Sequence, residues 1–136
     1  MAGSLSDYAE AKILDHLVGK TSWTMPASVY IALYTALPGD ASASGTEVAS
    51  SNNYSRKLTA GADWASATSG AGTSSNATVI TFATPSGSWG TVVGFALYDA
   101  ATVGNELAWA DLTVSQAVGT GNTVSFAIGA LTLSLS

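Results

Sequence analysis

The apolar residues of this chain recur mostly at every second position. Val93, Phe95 and Leu97 alternate with Gly94, Ala96 and Tyr98, and Val124, Phe126 and Ile128 alternate with Ser125, Ala127 and Gly129. Leu131, Leu133 and Leu135 repeat the pattern against Thr132, Ser134 and Ser136. Such alternation puts each second side chain on one face of a strand. The densest apolar and aromatic stretch of the second half, Ser88–Leu112, reads as a strand, a turn over Asp99–Asn105, and a return strand from Glu106 with Leu107 and Trp109 on one side. Val29, Ile31 and Leu33 alternate with Tyr30, Ala32 and Tyr34, so this strand is apolar on both faces and belongs inside a sheet.

Shorter strand signals lie at Tyr54–Ala60, Thr78–Phe82 and Val114–Val118. Leu37-Pro-Gly-Asp40, Pro85-Ser-Gly87 and Gly119-Thr-Gly-Asn122 carry turn chemistry between them. Ala41–Asn53 and Ser66–Asn76, rich in Ser, Ala, Gly and Asn, read as long surface loops. One helix is predicted, over Ser4–Val18, where Leu5, Ala9, Ile13 and Leu17 form a stripe flanked by Leu14 and Val18. Ser4 or Ser6 can cap it, Asp7 and Glu10 suit its positive end, and Gly19 can stop it. One helix and about seven or eight closely spaced strands predict a mainly β chain. The expected architecture is an antiparallel β-sandwich, jelly-roll-like, with one N-terminal α-helix, formed as a single domain over residues 1–136 with strands from about residue 28 to residue 135. Phe95, Trp109, Phe126 and Leu133 are expected to be buried together.

Charge narrows the functional classes. The chain has 4 Lys and Arg against 9 Asp and Glu, a net charge of -5, and only 10% charged residues. Phosphate backbones and anionic membranes are bound by clustered cations, so nucleic-acid and membrane partners are not expected. Cysteine is absent, which removes disulfides and thiolate chemistry. The N-terminal MAGSLSDYAEAK has no basic segment followed by an apolar core, and the expectation is a chain made in the cytosol without a secretory signal. A surface of small uncharged residues suits lasting contact with neighbours.

Candidate chemistry is sparse. His16 is the only histidine, and no GxSxG elbow supplies a nucleophile for it to activate. With one His and no Cys, a transition-metal site lacks ligands, and the dispersed carboxylates match no calcium loop. Asp99 and Glu106 flank the hairpin turn and could approach one another as a paired-acid site, although Asp is also a common turn former. Trp23, Trp64, Trp89 and Trp109 read as core or contact anchors, with sugar stacking as the alternative. Asn76-Ala-Thr78 fits the glycosylation sequon, but in a chain expected to lack a secretory signal it reads as a chance match. No catalytic, cofactor-binding or metal-ligating residue is expected, and no cofactor.

Three blocks resemble the small virion structural proteins of tailed bacteriophages: Leu5–Ala41, containing VYIALYT; Gly45–Lys57; and Ser88–Leu112 with the GTGNTVSFAIGALTLSL that runs nearly to the C-terminus. The resemblance implies a non-enzymatic β-sandwich located in the virion, assembled in the host cytoplasm, and bound to the major capsid protein or other virion proteins as a homo-oligomer on the particle. Within that family the expectation leans to a capsid decoration or cement protein, with a tail or fibre component as the alternative. A carbohydrate-binding module using the tryptophans is the reading from another class. The helix Ser4–Val18 and the loop Ala41–Asn53 are the elements expected to meet neighbours.

Overall fold

A computed structural model describes residues 3–41 and 44–135. The main element is a six-stranded antiparallel sheet built around the predicted hairpin. Strand β1 (Gly3–Leu5) lies at one edge, beside β8 (Glu106–Val118), then β7 (Gly90–Tyr98), then β2 (Val29–Ala36). The far edge of β2 is shared by β3 (Thr46–Glu47) and β4 (Lys57–Thr59). Two ribbons form the rest: β5 (Thr73–Ser75) with β10 (Thr132–Ser134), and β6 (Ile80–Thr81) with β9 (Ser125–Phe126). Ile80, Phe82 and Leu131 from the ribbon side share one core with Ile31, Leu33, Phe95 and Leu97 of the sheet. The arrangement is therefore sandwich-like, with a second layer made of short ribbons and connecting chain.

The period-two pattern sorts the central strands as expected. Ile31, Leu33, Phe95 and Leu97 point into the main core, and Ala32, Tyr34, Ala96 and Tyr98 form a second buried cluster on the opposite face. A strand buried on both faces is a central strand, which β2 and β7 are. Gly94 lies under the turn after β2. A Cβ there would meet the Leu37 side chain and sit 2.7 Å from the Ala110 carbonyl oxygen, so the close approach of chain and turn needs glycine.

The helix is shorter than its pattern. It spans Asp7–Leu17, with Ser6 as N-cap accepting from the Ala9 amide at 3.2 Å. Gly3–Leu5 is drawn off as a strand, because the outer edge of β8 offers backbone hydrogen bonds at Ala108–Ala110 that a frayed helical turn cannot match. Ser6 is fully buried, its amide donating to the Leu107 carbonyl at 3.0 Å and its hydroxyl to the Glu106 carbonyl.

A bulge corrects the return strand. Leu97 pairs with Ala108 but Tyr98 pairs with Glu106, leaving Leu107 as an extra residue. Leu107 thereby turns into the main core while Trp109 faces the second cluster, so the two are not on one side. The expected foursome splits for the same reason. Phe95 is fully buried, Phe126 and Leu133 are half-buried against the same core, and Trp109 is on the other face.

The two long loops also hold more structure than predicted. β3 and the buried Val48, whose amide donates to the Leu33 carbonyl at 2.9 Å, fasten Ala41–Asn53 to β2; Ser42 and Ala43 lie outside the described residues. Within Ser66–Asn76, β5 forms a ribbon with the C-terminal strand.

Candidate functional site

The most polar buried cluster lies on the second face of the sheet, where small residues leave room for tyrosines. Ala32 and Ala96 form its floor. The bulge at Leu107 turns Glu106 inward to Tyr98, whose hydroxyl lies 3.4 Å from Glu106 Oε2 and also bonds the Tyr34 hydroxyl. With Glu106 ionised, the only consistent donor order is Tyr34 to Tyr98 to Glu106. Glu106 is 1% exposed, and its Oε1 has no hydrogen-bond partner. Burial pushes the carboxyl up to about 7; the Tyr98 hydrogen bond pulls it down, and the nearby Asp40 charge pushes it further up. Burial also raises Tyr34 and Tyr98.

Arg56 closes this cluster. Its guanidinium stacks 3.7 Å from the Tyr98 ring centroid and holds Glu47 through two bonds of 2.9 Å. Its Nη1 donates to the carbonyls of Ala100 and Val103, tying down the β7–β8 turn. The Tyr54 hydroxyl donates to Glu47 at 2.9 Å and accepts from the Leu33 amide at 3.0 Å. The cluster thus clamps β2, β3 and the hairpin turn together. Glu106, whose acidity is shifted towards neutrality, is closed to solvent.

The residues singled out by sequence separate in space. His16 is exposed on the helix, its Nδ1 accepting from the Trp23 amide at 3.1 Å. Asp99 does not join Glu106 in a paired-acid site: its two oxygens accept from the amide and the side chain of Asn105 at 2.7 and 2.9 Å, which closes the turn. Trp89 is buried, stacked edge-on with Tyr54 at 5.3 Å, and its indole donates to Asn52. Trp64 and Trp109 are half-buried, with indoles committed to Thr59 and Asp40, and Trp23 leans on Tyr8. Trp109 and Trp23 each line an open pocket at the surface. Among the described residues, no group of three or more His, Cys, Asp or Glu could hold a metal ion.

Asn76 has a structural role that sequence reasoning missed. It is 1% exposed, its Oδ1 accepts from the Leu131 amide at 2.9 Å, and its Nδ2 donates to the Thr78 and Ala127 carbonyls. A buried, fully bonded amide is no glycan acceptor; it pins both ribbons. Its position inside a Ser- and Gly-rich stretch gave no sign of this.

The surface offers contact area more than chemistry. An open groove of about 440 Å3 lies beside a second bulge, where Val93 faces Leu112–Ser115 because Gly94 pairs with Asp111 and Val92 with Gln116. Val92, Val124 and Phe126 help to line it. Towards solvent the helix presents both charged and apolar residues, Asp7, Glu10, Asp15 and His16 beside Leu14, Leu17 and Val18. Leu14, Leu17 and Val18 are 61%, 73% and 76% exposed, while Ala9 is its only buried residue.

A family model described as Podophage GP4 fiber I protein gp80 matches residues 4–134, and the chain belongs to that family of tailed-phage virion structural proteins. No curated protein matches the chain.

Proposed function

We propose that this protein is a non-enzymatic component of a podophage fibre, acting through contacts with other virion proteins and with further copies of itself. The match to a fibre-protein family across residues 4–134 carries the reading. It favours the fibre over the capsid lattice to which the sequence leaned. The clamped polar cluster supports it, because it holds the sheet rigid while presenting no group to a substrate. The exposed Leu14, Leu17 and Val18 of the helix supply apolar contact surface of the kind that marks protein–protein interaction.

The test is location. Gold-labelled antibody against this chain should decorate the tail region of intact particles and leave the head bare. Quantitative mass spectrometry should then find a small multiple of copies per particle. Label spread over the whole head, with hundreds of copies, would replace the fibre reading with capsid decoration.

A further inference from the structure

A cleft of about 330 Å3 opens where the chain leaving the helix meets the β7–β8 turn. Tyr8 and Lys12 of the helix line it, with Ser22, Trp23 and Thr24 of the following loop and Asp99 of the turn. Its walls are fixed by the fold. The His16 Nδ1 accepts from the Trp23 amide at 3.1 Å, which holds the loop back against the helix. The Trp23 and Tyr8 rings meet edge-on, 6.5 Å apart, and the two bonds from Asp99 to Asn105 set the turn.

The donors of this cleft are unused by the fold. The indoles of Trp64, Trp89 and Trp109 each donate within the chain, whereas that of Trp23 makes no hydrogen bond among the described residues. The same holds for the hydroxyls of Tyr8, Ser22 and Thr24. Lys12 has no ion pair there, and its ammonium lies 5.6 Å from the Tyr8 ring centroid. The one carboxylate of the cleft, Asp99, already accepts from two N–H groups of Asn105. We infer that the cleft binds an acidic saccharide, with Lys12 on its carboxylate and the indole and hydroxyl donors on its ring oxygens. Trp23 and Tyr8 then give apolar ring surface to the C–H side of the sugar. A bare anion would leave the three hydroxyls and the indole idle, and a nucleic-acid backbone needs more than one cation. The unpaired ammonium favours an acid over a neutral sugar, because a charge-assisted hydrogen bond is about twice as strong as a neutral one.

Size sets the strength. The cleft lies at the lower end of the range of roughly 300–1,000 Å3 typical of ligand pockets, and it is open, so it suits one or two sugar rings. Single-site binding should be weak, with a Kd on the order of 0.1–10 mM. Repetition of the site on one particle would raise the effective affinity by roughly 10²–10⁴. The inference rests on the proposed function only for that repetition.

Proton–nitrogen correlation NMR on the purified chain tests it independently of particle location. The probes are glucuronate, galacturonate and N-acetylneuraminate, each beside its methyl ester, with acetate as the bare carboxylate, at constant ionic strength. The Trp23 indole resonance, assigned by its absence in Trp23→Phe, should shift saturably with at least one acid. That acid should bind at least about 5-fold more tightly than its ester. Lys12→Gln should bring the acid down to the affinity of the ester with the thermal melt unchanged. An indole resonance unmoved by all three acids at about 100 mM would overturn the proposal. So would esters that bind as well as the acids, or a preference for acid that survives Lys12→Gln. Acetate binding as tightly as the best acid would also overturn it, leaving a site for any carboxylate, an acidic peptide included. Each of these leaves the fibre assignment standing.

Discussion

Replacing Glu106 by glutamine is the sharpest probe of the buried clamp. In the unfolded chain this carboxyl ionises near 4.5, and in the folded protein burial moves it to about 7. The folded state therefore holds a proton that the unfolded state has released between those two values, and stability falls as pH rises through that window. A displacement from 4.5 to about 7 corresponds to about 3 kcal/mol once both states are ionised, at about 1.4 kcal/mol for each tenfold change. Glutamine keeps an acceptor for the Tyr98 hydroxyl and removes the charge. It also buries an amide where Oε1 has no partner, a cost of about 1–3 kcal/mol. That cost does not depend on pH, so it cancels in a comparison across pH. Urea unfolding of wild type and Glu106→Gln at pH 4 and pH 8.5 should show the difference between them moving by up to about 3 kcal/mol in favour of the variant at the higher pH. Parallel stability profiles over that range would mean that Glu106 is solvated in solution, and the clamp would lose its buried acid.

Other changes follow from the same packing. Phe95→Ala, at a fully buried site, should cost about 3–5 kcal/mol in denaturant unfolding, whereas the half-buried Phe126→Ala should cost about 1–3 kcal/mol. Equal losses at the two sites would contradict the ribbon layer described above. Gly94→Ala should destabilise by several kcal/mol or prevent folding, because its Cβ would sit 2.7 Å from the Ala110 carbonyl oxygen; a shift in Tm of less than a few degrees would show that the Leu37 turn moves aside freely. Asn76→Ala removes one acceptor and two donors from the junction of the ribbons and should cost about 2–4 kcal/mol, with hydrogen exchange quickening first at the Leu131 amide. Ser6→Ala, losing the helix cap and the bond to the Glu106 carbonyl together, should cost about 1–3 kcal/mol and loosen β1 in the same exchange measurement.

The central sheet was legible because its signal is local. Val29–Tyr34 and Val93–Tyr98 alternate without interruption, and two apolar faces at period two leave a central strand as the only economical placement. The helix was legible at Asp7–Leu17 from its caps and periodicity. What needed the tertiary structure was everything decided by a partner distant in the chain. Ser4 and Leu5, read as the start of the helix, joined a strand because β8 had an open edge. Leu107 and Trp109 parted because a bulge absorbs a mismatch between two strands, which neither strand carries alone. Glu106 reads as a hairpin acid beside Asp99, yet its acidity near 7 comes from burial beside Tyr98. Leu17, read as part of the inward stripe but exposed together with Leu14 and Val18, is the clearest case. A stripe at i, i+4 says that a helix has something to bury, and only the fold decides which side faces the core and which stays in water.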